Sequence, residues 1–288
     1  MRPGPWLLTA AAGLGVVHVI GVLSARPLYR PAEVLATLCL LAYAIRDDLR
    51  AYAIRDDLLA DRGPARWGSS VAAAVLVAGA ALTVPPPAGD GSGLRFLSSE
   101  QYDDLIRRTQ LESLIPVTAA LLFVLVLLTT TGQGRRPSRI PLMTGIVAAV
   151  LLVGYTVVRL AVICSGPRET PGAKETQNLS PAVMALIPLL VALTALALAV
   201  VAATQRRLRA AGGALLLTLT GLIWIDAAIG AALLPYAVHE DASMLSLDLF
   251  TATDALPQPT QALTAALQLT AAVLLIAGPA RRPSAARV

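Results

Sequence analysis

Pro181–Ala203 reads PAVMALIPLLVALTALALAVVAA, twenty-three residues without one charge. A helix of about 20 apolar residues crosses the hydrocarbon core of a bilayer, so this stretch reads as a transmembrane helix. Seven further runs of the same kind lie on either side of it: Trp6–Ala25, Pro31–Ile45, Ser70–Val84, Leu114–Thr131, Ile140–Cys164, Ala214–Ala237 and Thr260–Pro279. Membrane barrels alternate polarity over roughly 10-residue segments, and no such alternation appears here. The expected fold is therefore all-α, a polytopic transmembrane helix bundle forming a single integral membrane domain over residues 1–288.

Composition supports this class. The 288 residues are 56% hydrophobic and 14% charged, with a mean hydropathy of +0.69. Soluble domains carry about 25% charged residues, and one soluble core cannot hide this much apolar side chain. The basic residues are 22 Arg and one Lys, Lys174, a bias that suits a GC-rich bacterial genome. The Arg residues form short clusters between apolar runs, which is the pattern of topology signals and not of a nucleic-acid surface. No nucleic-acid partner is expected, and the lipid bilayer is the expected environment, in a bacterial plasma membrane.

Charge sets the orientation. With the N-terminus inside, fifteen basic residues fall on the cytoplasmic side and seven on the other, which favours eight spans with both ends inside. Pro31–Ile45 is the weak member, because its unbroken apolar stretch is short and Arg30 and Glu33 sit at its outer end. Without it the chain has seven spans and an external N-terminus. Trp6–Ala25 also resembles a signal peptide, with Val22-Leu23-Ser24 at a cleavage position. A single basic residue before it, Arg2, favours a retained helix.

Two segments stand out between the spans. In the cytoplasmic loop 46–66, Ala42–Arg50 (AYAIRDDLR) and Ala51–Leu59 (AYAIRDDLL) form a tandem duplication of nine residues. Nine residues turn a helix through about 900°, so the two acidic pairs face opposite sides. The reading is a tolerated duplication. The extracytoplasmic loop 87–113 leads through Leu97–Leu114 into the next span, and that segment is expected as an amphipathic surface helix with Ser98 as its N-cap and i,i+4 Asp–Arg pairs. The loop His239–Gln258 mixes acidic and apolar residues and is expected on the membrane or over the bundle.

Ionisable groups inside membrane helices cost at least about 2.5–3.5 kcal/mol on insertion scales, so each asks for a partner or a purpose. Asp226, in GLIWIDAAIG, is expected near the middle of its span, about 15 Å from either end. Arg159 lies within reach for pairing, and Tyr155 shares its helical face. His18 is flanked by Gly15 and Gly21, whose small size permits close helix contact. Gln268 closes a polar stripe with Gln261 and Thr264. Asp226, Arg159, His18, Tyr155 and Gln268 thus form the candidate intramembrane polar site. Pro188 is expected to kink its helix.

The string Asp56-Asp57-Leu58-Leu59-Ala60-Asp61 has a spacing that holds Mg²⁺ against a diphosphate. The other cytoplasmic connections, Gly132–Arg139 and Thr204–Ala210, lack any acidic residue for the second half of such a site, so Asp56, Asp57 and Asp61 are a minor candidate. Two cysteines (Cys39, Cys164) and two histidines (His18, His239) are too few for a metal framework, and His239-Glu240-Asp241 are neighbours on one segment. Walker, CxxC, HExxH and GxSxG patterns are absent from the sequence. No metal and no cofactor is expected.

The leading functional expectation is movement of a small solute or ion through an outward-facing polar cavity, with a non-enzymatic role favoured over an enzymatic one. Two alternatives stand beside it. One is an intramembrane enzyme acting on a lipid or isoprenoid. The other is a non-catalytic accessory, immunity or sensor protein working through a membrane protein partner.

Overall fold

The computed structural model describes residues 5–24, 29–53, 67–83, 95–97, 99–131, 139–164, 181–231, 244–246 and 259–277. They form eight helices: α1 (Pro5–Leu23), α2 (Tyr29–Ala53), α3 (Gly68–Leu82), α4 (Ser99–Thr131), α5 (Arg139–Cys164), α6 (Pro181–Thr204), α7 (Leu208–Ala231) and α8 (Pro259–Ala277). The only strands among the described residues are β1 (Arg95–Leu97) and β2 (Met244–Ser246). They pair antiparallel with Phe96 opposite Leu245 and join the α3–α4 connection to the α7–α8 connection. Six helices, all but α2 and α3, are long and apolar enough to cross a membrane. That set is compatible with a multi-pass membrane protein.

Small residues determine which helices meet. Gly221 of α7 lies against the Ala192 backbone and side chain of α6, Gly79 of α3 against Ala119 of α4, and Gly213 of α7 against α8. Backbones approach closely where side chains are this short, and in lipid that packing drives helix association. The contacts run α1–α2–α3–α4–α6–α7–α8 and back to α1, a closed ring of seven helices. α5 stands outside it, packed on α6 and touching α7 only lightly. Phe123, Leu40, Leu198, Leu217 and Val191 are fully buried within the bundle.

The outward surface is apolar. On α5 alone Ile140, Met143, Val150, Leu151, Val158 and Val162 are exposed. A patch of that extent is an association liability in water and an ordinary lipid-facing surface in a bilayer.

α2 is a full member of the ring despite its charged ends. Ala32, Ala36, Leu40 and Ala44, four residues apart, are buried along one face. Its charges clasp the shortest helix. At the N-terminus of α3 the Asp48 carboxylate accepts hydrogen bonds from Ser69 Oγ (2.9 Å), Ser70 Oγ (2.6 Å) and Ser70 N (3.3 Å). Past its C-terminus, Arg30 donates to the Thr83 carbonyl at 2.6 Å. An anion at the amino end and a cation at the carboxyl end both oppose the helix dipole and satisfy groups the helix cannot satisfy itself. The α6–α7 turn is equally defined. Arg206 takes a left-handed φ of 56°, with Arg207 N donating to Ala202 O and Arg206 N to Ala203 O, a Schellman ending.

Two expected segments take a different form. α2 runs to Ala53, so the helix carries the whole first repeat and enters the second. The expected surface helix is the beginning of α4, which continues unbroken from Ser99 through Pro116 to Thr131. Asp56, Asp57 and Asp61, Pro85–Gly93, Ser98 and most of His239–Gln258 lie outside the described residues.

Candidate functional site

α5 and α7 come together at one end through three side chains. Arg159 donates to Asp226 Oδ1 from Nε at 2.9 Å and from a terminal nitrogen at 2.5 Å, and the Tyr155 hydroxyl donates to the same oxygen at 3.1 Å. Tyr155 and Arg159, four residues apart, share a helical face, which is why both reach one carboxylate. The cluster is not buried within the protein: the side chains of Arg159 and Asp226 are 41% and 49% exposed. Asp226 stands five residues before the end of α7 and Arg159 five before the end of α5. At helical rise that is about 7–8 Å. α7 starts at Leu208, ahead of the apolar run at Ala214, so Asp226 lies about 27 Å from its start and five residues before its last described residue, Ala231.

Below the cluster, residues of α5 and α7 line a groove that also includes Leu196 of α6. The groove has a volume of about 650 Å³, within the range typical of small-molecule pockets. Its walls are Ala148, Leu151 and Leu152 of α5 and Thr218, Leu222, Ile223 and Ala227 of α7. Tyr155, Asp226 and Thr260 supply its polar atoms at one end. The Thr218 hydroxyl is already engaged with the Ala214 carbonyl of its own helix. From Thr218 to Asp226 the groove runs about 12 Å along α7 at helical rise.

A second polar cluster lies inside the ring. His18 of α1 is 5% exposed, with its Nε2 4.0 Å from Glu33 Oε2 of α2, an ion-pair spacing too long for a hydrogen bond. Glu33, Thr37 and Gln268 line a small cavity with Gly79, Pro116 and Ala119. Its volume, about 20 Å³, is the room one water needs. The Thr37 hydroxyl bonds back to the carbonyls of Glu33 and Val34. Gly15 meets Leu269 of α8, so α1 does approach a neighbour closely beside His18.

The five expected site residues thus fall into two groups. Tyr155, Arg159 and Asp226 converge on the outer groove; His18 is inside the ring and Gln268 lines the small cavity there. Glu33, read from the sequence as a charge at a span end, is the acidic partner inside. Its spacing of four residues from Thr37, on the face carrying Ala36 and Leu40, is the signal that could have placed it. Thr260 belongs to the outer site because the start of α8 reaches the top of α7. Among the described residues no cluster of three or more His, Cys, Asp or Glu side chains could hold a metal ion.

Comparison with family models, with curated proteins and with solved structures returns no match to this chain.

Proposed function

We propose that this chain is a multi-pass protein of a bacterial plasma membrane that takes a lipid-like amphiphile sideways from the bilayer into the α5–α7 groove and holds it there. All eight helices cross the membrane in this reading, with both termini inside. Membership of α2 in the ring supports counting it as a span, and the excess of arginine on one side supports the orientation.

One observation carries the function: the groove is apolar along most of its length and carries Tyr155, Asp226 and Thr260 at one end, while the Thr218 hydroxyl at the other end is bonded back to its own helix. That is the chemical profile of an amphiphile. The groove also opens on the exposed side of α5, where Leu151 and Val158 face outward. Transport of a small solute or ion through an outward-facing polar cavity draws weaker support. The ring interior is packed with Leu40, Phe123, Leu198 and Leu217, and its Glu33–Gln268 cavity has room for about one water. The proposal is one of binding and presentation, without a bond made or broken.

Native mass spectrometry of the gently extracted chain tests it, wild type beside Ala227→Trp. An indole at position 227, an exposed site that lines the groove beside Asp226, blocks its polar end. The expected result is a lipid-sized adduct on the wild type that is lost in the variant. Equal adducts on both, or a bare chain in both, overturns the reading.

A further inference from the structure

We infer that the groove selects a zwitterionic phospholipid head with a primary ammonium, of the phosphoethanolamine kind. This rests on the groove reading above and specifies its ligand. All three donors at the cluster, two from Arg159 and one from Tyr155, converge on Asp226 Oδ1. Oδ2 receives no hydrogen bond among the described residues, and Asp226 lines the groove. An ionised carboxylate has about four acceptor positions on its two oxygens, and a guanidinium has five N–H donors, of which Asp226 engages two here. The cluster therefore offers, side by side and 41–49% exposed, an anion with an open oxygen and a cation with donors to spare.

Beside lipid, where water is scarce, a ligand bringing a single charge to this neutral pair leaves that charge uncompensated. A head bearing both charges completes it: phosphate against the guanidinium, ammonium against Oδ2. Arginine–phosphate and ammonium–carboxylate contacts are the charge-assisted kind, stronger than neutral hydrogen bonds. The chemistry discriminates among common heads. Phosphatidylglycerol has no cation for Oδ2. Phosphatidylcholine has a cation but no N–H to donate. Phosphatidylethanolamine has both.

The test is head-group competition. The chain is placed in nanodiscs containing equal amounts of phosphatidylethanolamine, phosphatidylcholine and phosphatidylglycerol with identical acyl chains, and the retained lipid is identified by native mass spectrometry. The wild type is expected to retain phosphatidylethanolamine about tenfold over each of the others, the value of one charge-assisted hydrogen bond. Asp226→Asn is expected to hold lipid with that preference lost, and Ala227→Trp to hold none. A wild type that retains lipid without regard to head, or prefers phosphatidylglycerol, overturns the head assignment and leaves the groove reading standing. Equal retention by wild type and Ala227→Trp overturns the groove reading itself. Because the wild-type competition alone decides the head, the inference remains testable even where Asp226→Asn fails to fold.

Discussion

Asp48→Ala unties the N-terminus of α3 in one change. The carboxylate accepts from both hydroxyls and one backbone N–H of the Ser69-Ser70 pair, so its removal leaves the first turn of the shortest helix without its cap. Loss of an N-cap side chain costs about 1 kcal/mol, and loss of an anion facing a helix amino end adds about 0.3–1 kcal/mol. The expected total is about 1.3–2 kcal/mol, roughly a ten- to thirtyfold fall in the folding equilibrium. Asp48→Asn keeps one acceptor oxygen and loses the charge, so about half that effect is expected. Asp47, next in the chain and exposed, is the control, and Asp47→Ala should stay within about 0.5 kcal/mol of wild type. The assay is reversible unfolding of the detergent-solubilised chain titrated with SDS and followed by far-ultraviolet circular dichroism. If Asp48→Ala unfolds at the same point as Asp47→Ala, α2 does not cap α3 and the clasp is wrong.

Deleting Ala51–Leu59 removes the second repeat but keeps Asp48 in place, leaving ten residues between Asp48 and Gly68. Helix connections of about 2–8 residues are common, so an unchanged SDS midpoint is expected; loss of the folded chain would show that the second acidic copy is needed. Arg206→Gly relieves a left-handed φ of 56° at a position where glycine is preferred, and should raise stability by about 1 kcal/mol in the same titration. A fall instead would mean that the arginine side chain contributes more than its backbone conformation costs. Gly221→Leu drives a side chain into the Ala192 backbone and should cost about 1–3 kcal/mol or more, whereas Gly154→Leu on α5 meets open space and should unfold close to wild type. Equal midpoints for these two would contradict the close α6–α7 contact.

What was legible in the sequence follows from what a sequence encodes locally. Charge-free runs such as Pro181–Ala203 name themselves as helices, because a bilayer rewards length and apolarity and nothing else at that level. The Arg159–Asp226 pairing was legible for the same reason, since an ionisable group among apolar residues needs a partner. The start of α7 was not, because Leu208-Arg209 are already helical ahead of the apolar run. α2 was ambiguous because mean hydropathy dilutes its apolar face with Arg30, Glu33, Arg46 and Asp48. Of those charges, Arg30 and Asp48 have partners at the two ends of α3, and Glu33 faces His18 of α1. His18 and Gln268 do not meet Asp226: His18 is buried on α1 and Gln268 lines the small cavity with Glu33 and Thr37, while Asp226 lines the α5–α7 groove, and no local pattern encodes which helices become neighbours.

The position of α5 links fold to function. It lies between α4 and α6 in the chain, yet α4 packs directly on α6 and the ring closes without it. A helix the ring does not need for closure is held by few contacts, and its strongest polar tie to α7 is the Tyr155–Asp226–Arg159 cluster. The same cluster forms the polar end of the groove that α5 walls. In the proposed reading, holding α5 in place and recognising the lipid head both fall to one carboxylate: Oδ1 ties α5 to α7, and Oδ2, which receives no hydrogen bond among the described residues, is left for the head. On that reading, a head at Oδ2 would leave the tie intact and add a second bridge to the guanidinium, so occupancy and α5 docking would reinforce each other. Asp226→Ala, which removes both oxygens, should loosen α5 and empty the groove together, while Tyr155→Phe, which removes one donor to Oδ1, should weaken the tie and leave the open oxygen available.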